Sequence, residues 1–175
     1  LLLVASHAGA EHPLKPPDTS SPRATFESFL ALTEQAASRY DAFRDAPSPA
    51  TQKALWQVSE KTARLFDLSR VGPAARPKVA DETFYLLWDV IARLELPGLD
   101  EIPVGPVVQE GVAEADQPMR WRIPDTEIMI VRISEGEHAG EFDVCSRWGF
   151  SELGRFAVEY RRLFGESRLA TLSRN

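Results

Sequence analysis

The spacing of apolar residues changes once along this chain, and that change constrains the fold more than any other feature. From Phe26 to Leu94 apolar side chains recur at three- and four-residue steps, the signature of helices that each bury one face. After Arg120 the spacing shortens: "RWRI", "TEIMIVRI" and "EFDVC" read as short strands separated by turns. Helices first and strands later, with no alternation between them, predict an α+β domain rather than a doubly wound one. The expected order is about three N-terminal helices, a small antiparallel β-meander and a C-terminal helix.

Prolines set the boundaries. Pro13, Pro16, Pro17 and Pro22 each bias the preceding residue away from helix, so residues 11–21 read as an extended arm. Ser21 is then a natural N-cap, with Pro22 at the first helical position, where its missing N–H costs nothing. The first helix has Phe26, Phe29, Leu30, Ala37, Tyr40 and Phe43 on its inward stripe. Ser48-Pro49 repeats the start signal, and Leu55, Val58, Thr62, Leu65 and Phe66 carry a second helix to about Leu68. A third helix is expected from Pro77 to Leu94, with Ala80, Phe84, Leu87, Trp88, Ile91 and Leu94 inward.

Periodicity is lost from Glu95 to Met119, although Ile102, Val104, Val107 and Val108 place that stretch along the core. Leu153, Phe156, Ala157, Tyr160 and Phe164 mark the closing helix, so residues 22–165 form one domain and 166–175 a tail. Residues 1–10, "LLLVASHAGA", read as the remnant of a signal peptide, with Ala8-Gly9-Ala10 before a cleavage point at Glu11. The alternatives are a short apolar segment packed on the domain or an expression remnant. No Cys stands at that point, which argues against a lipoprotein.

A length of 175 residues suffices for a real core, and a net charge of -6 offers no basic patch for nucleic acid. Cys145 is the only cysteine, so an intrachain disulfide is impossible, and it reads as a small buried hydrophobe at a strand end. His7, His12 and His138 are scattered and match no metal-ligand spacing. His138 reads as a solvated loop residue. There is no Gly-x-Ser-x-Gly elbow and no glycine-rich phosphate loop. No cofactor and no catalytic residue is expected.

Two weaker signals remain. Glu135, Glu137 and Glu141 surround the hairpin loop, and Asp100, Glu101, Glu110, Glu114 and Asp116 line the long connection. They offer oxygens to a hard cation but lack EF-hand spacing, and solvated loop charge is the plainer reading. Trp56, Trp88, Trp121 and Trp148 raise a carbohydrate or peptide platform, against which core packing is the better reading for most. Trp148, at the joint after the last strand, is the one expected to be partly exposed.

Two distant stretches combine into something more specific. "PPDTSSPRATFESFL" (Pro16 to Leu30) and "RWRIPDTEIMIVRISEGEHAGEF" (Arg120 to Phe142) together resemble the N-terminal extracytoplasmic region of bacterial mechanosensitive channels of the MscS type. The matching positions are Pro16, Pro17, Asp18, Thr19, Ser20, Ser21, Pro22 and Arg23 in the arm. In the hairpin they are Trp121, Ile123, Pro124, Thr126, Glu127, Glu135, Gly136, Gly140, Glu141 and Phe142. "LDEIP" (Leu99 to Pro103) also looks like theirs, and the resemblance spans most of residues 13–164. One departure stands out: where such proteins continue as Phe-Leu-Phe-Ser, this chain has "FDVCSRWGF", which places Asp143 in the strand.

The resemblance implies a periplasmic, non-catalytic accessory domain of an inner-membrane protein. The full protein would be a homo-oligomeric, tension-gated pore whose transmembrane helices lie downstream of Asn175. Implied partners are that membrane part, neighbouring subunits and an envelope component, with the motif residues in structural or interaction roles. The isolated domain would self-associate weakly. A free-standing periplasmic binding or scaffold protein is the alternative. A small periplasmic enzyme is the third reading, and a pocket with two or more convergent ionisable groups would revive it.

Overall fold

The structure is a computed structural model that describes residues 15–69, 71–105, 120–134 and 138–146. Its elements follow the expected order: α1 (Pro22–Asp45), α2 (Pro49–Thr62), α3 (Arg76–Ile91), then β1 (Arg120–Arg122), β2 (Ile128–Arg132) and β3 (Phe142–Ser146). The fold is α+β. The closing helix and the residue 1–10 and 166–175 assignments lie outside the described residues. So do Trp148, Val107, Val108, Glu110, Glu114 and Asp116, and the side chain of Cys145.

Both serine caps form. The Ser21 hydroxyl accepts from Ala24 N–H at 3.1 Å and opens α1 ahead of Pro22. Ser48 closes a reciprocal capping box with Thr51 at α2. Helix ends depart from the apolar pattern where tertiary contacts intervene. The second stripe runs to Leu68, yet α2 stops at Thr62, passes through one 3-10 turn at Ala63–Leu65 and becomes extended at Phe66. The reason is a parallel bridge from Phe66 to Val144, which recruits the segment to the sheet. α3 likewise ends at Ile91, and Leu94 N–H bonds the Ile91 carbonyl in a tighter turn before Pro97.

The stripe expected along α1 also needs correction. Burial ends at Ala36, and Tyr40 is 55% exposed. A helix of 24 residues is about 36 Å long, so its last turns run past the elements that cover its first half.

The sheet has the order β1-β2-β3, antiparallel throughout, with Trp121 opposite Ile130 and Ile130 opposite Val144. That register puts Trp121, Ile128, Ile130, Phe142 and Val144 on one face. α1 covers this face, with the Phe26 ring edge-on to Trp121 at 5.8 Å between centroids. Behind it Phe29 meets Phe84 of α3 at 5.5 Å, so one core joins helices and sheet. Ile102 is fully buried as expected of the long connection, whereas Val104 is exposed. Among the described residues no helix is long and apolar enough to cross a membrane.

Candidate functional site

The two stretches that carried the family resemblance meet in space. The arm runs along the edge of β3: the Phe142 N–H donates to the Thr19 carbonyl at 2.8 Å, and the Thr19 hydroxyl donates to Glu141 Oε2 at 3.2 Å. Two residues later Val144 bridges Phe66 along the same edge. The arm and the Phe66 segment thus share the edge that a three-stranded sheet would otherwise leave open.

Most arm residues have a local task. Asp18 accepts from Ser20 N–H at 3.0 Å, and hydrogen bonding to Ser20 holds its carboxyl below the ordinary carboxylate pKa. Asp18 also exchanges two 2.9 Å bonds with the Ser28 hydroxyl, pinning the arm to α1. Arg23 reaches the "LDEIP" stretch three times. Its Nε donates to the Ile102 carbonyl and its Nη2 to the Asp100 carbonyl, both at 2.9 Å, while its N–H donates to Pro103 at 3.1 Å. Pro22 is buried, Pro17 half-buried and Pro16 exposed.

The hairpin motif is equally structural. Ile123 is buried, and the Thr126 hydroxyl donates to its carbonyl while accepting from Ile128 N–H. This locks the turn in which Pro124 is exposed and Asp125 takes φ 58°. Gly140, at φ 93°, lets the second hairpin close through its N–H to the Ile133 carbonyl. Glu127 is half-buried. Glu135 and Gly136, with Glu137, lie outside the described residues.

Beside this junction lies a cleft of about 930 Å³. Pro16, Pro17 and Thr19 of the arm form one wall, and Val131 and Arg132 of β2 another. The end of α2 and the start of α3 complete it. Asp143 faces this cleft and is 7% exposed. Phe66 and Val144 face the core side by side, so alternation turns their neighbours Asp67 and Asp143 to the opposite face of the ribbon. Burial, reinforced by the Asp67 charge, pushes the Asp143 carboxyl up to about 7. Asp143 can therefore hold or release a proton near neutrality, in a cleft that Asp67 also lines.

Sequence reasoning noted Asp143 only as a departure in the strand and passed over Asp67. The available signal was a repeated triplet, since "FDL" (Phe66 to Leu68) and "FDV" (Phe142 to Val144) each set one Asp between buried apolar residues. The strand itself tolerates Asp143 and continues to Ser146.

The other candidates resolve simply. His138 is exposed as expected and sits 3.4 Å from Glu141. Among the described residues no group of three His, Cys, Asp or Glu comes together to hold a metal ion. Trp121 and Trp88 pack on the core, while Trp56 is 62% exposed on α2, against expectation. No family model matches the chain, and no curated protein or solved structure matches it.

Proposed function

We propose that this chain is an extracytoplasmic accessory domain of a tension-gated channel of the MscS type, acting on assembly, envelope contacts or gating. One observation supports the reading above the rest. The arm and hairpin, which carry the resemblance from opposite ends of the sequence, form one hydrogen-bonded unit at Thr19 and Phe142. A motif spent on caps, turns and edge pairing describes a folded module, as the resemblance implies, rather than a reaction centre. A domain of this kind biases a pore only if its contacts differ between closed and open states.

The test is electrical recording from membranes carrying the full-length product, with and without residues 11–165. A suction-activated current that persists with a shifted threshold supports the gating role. An unchanged threshold and conductance removes gating and leaves assembly or anchoring. No tension-activated current in the full-length product overturns the channel reading altogether. The cleft at Asp143 favours a second reading, a free-standing periplasmic binding protein, which a stop codon directly after Asn175 would support.

A further inference from the structure

Asp143 has chemistry that the module's architecture does not require. A strand position surrounded by Phe142 and Val144 holds a carboxylate that is more than nine-tenths buried, lines an open cleft and has Asp67 beside it. Its carboxyl takes a hydrogen bond from its own backbone amide, and the Asp67 carboxylate acts on it as a like charge. Burying a carboxylate beside a second acid is costly, so an arrangement of this kind favours a counter-ion.

The geometry points to a binding site for a small zwitterion, whose primary ammonium group lies at Asp143 and Asp67. A divalent metal is a poor fit, since calcium takes six to eight oxygens and no third acidic or imidazole ligand joins the pair among the described residues. An ammonium group needs only a few acceptors, and it brings three donors of its own. The remaining charged groups of the cleft are of both signs. Arg64, Arg76 and Arg132 line the same cleft and supply guanidinium groups for the acid end of such a ligand, with Arg76 tethered by its Nε to the Val71 carbonyl at 3.0 Å. Glu60, Glu141 and His138 add charge at the walls. The inference does not depend on the channel reading.

Ammonium binding needs Asp143 ionised, so it displaces a proton from a carboxyl that titrates at about 7. Affinity should therefore rise with pH. His138 also lines the cleft and its imidazole can carry a charge, so its contribution must be removed.

The experiment is an amide NMR titration of the whole 175-residue chain with glycylglycine, beside N-acetylglycylglycine, which lacks the ammonium group, and KCl. The expected result is saturable shifts at Asp67, Val131 and Asp143 with glycylglycine at pH 8, and affinity weaker by more than about tenfold at pH 5.5. The pH effect should persist in His138→Gln. Asp143→Asn and, independently, Asp67→Asn should each weaken binding about tenfold or more while the remaining spectrum stays dispersed. The inference is overturned by absent saturation, by equal binding of the acetylated dipeptide or by the same response to KCl. Undiminished affinity in a folded Asp143→Asn or Asp67→Asn chain would overturn it as well.

Discussion

The Thr19 carbonyl accepts the Phe142 N–H at 2.8 Å, and the Thr19 hydroxyl reaches Glu141, 122 positions along the chain. This contact fastens an irregular arm to a sheet edge. Thr19→Val removes the hydroxyl bond and keeps the carbonyl. Stability to urea should fall by about 0.5–1.5 kcal/mol. The Phe142 amide should stay protected in hydrogen exchange, and loss of its protection in the variant would refute this division of labour.

Arg23 ties the start of α1 to the Leu99–Pro103 segment through two side-chain bonds to carbonyls. Arg23→Ala should cost about 2–3 kcal/mol, because both acceptors lose a charged donor. Arg23→Lys should recover less than half, since an ammonium cannot reproduce the planar fork. Equilibrium unfolding of the three chains settles it.

Asp143 binds a proton more tightly in the folded chain than in the unfolded one, with its carboxyl raised from 3.8 to about 7. The contribution of Asp143 to folding is therefore most favourable below pH 4, and it is lost as pH rises through about 7. Asp143→Asn should be near-neutral at pH 4 and stabilising by about 1–3 kcal/mol at pH 8. Thermal melts at the two pH values check the sign. A variant less stable at pH 8 would contradict it.

Thr83 is 1% exposed on α3, and among the described residues its hydroxyl has no hydrogen-bond partner. Thr83→Val keeps the shape and removes the unpaired group. Stability should rise by about 1 kcal/mol in chemical denaturation. An unchanged or lower midpoint would count against an unsatisfied hydroxyl.

The tryptophans and core phenylalanines should separate cleanly. Trp56→Ala, on an exposed side chain, should change stability by less than about 0.5 kcal/mol. Phe29→Ala, at 1% exposure beneath Phe84, should cost about 3–5 kcal/mol. Comparable losses in both would mean that Trp56 packs against something.

Local chemistry accounts for what was legible in the sequence. Ser21-Pro22 and Ser48-Pro49 start helices because a cap and a preset φ act within one turn. The three strands and the turn at Thr126 follow from alternation and short-range hydrogen bonds. What stayed hidden depends on distant neighbours. Apolar spacing continues past Thr62, but only the β3 edge pulls Phe66 out of the helix, and Tyr40 is left outside because α1 outruns its cover. The Asp67–Asp143 pair has the same origin. Each Asp is unremarkable in its own triplet, and the Phe66–Val144 bridge alone turns both toward one cleft. By itself, then, the sequence determined where helices and strands begin and which faces are apolar, since those choices are made within a few residues. Tertiary structure decided where they end, what the arm holds together and which carboxylates share a cleft, because burial and charge coupling exist only once remote segments are in contact.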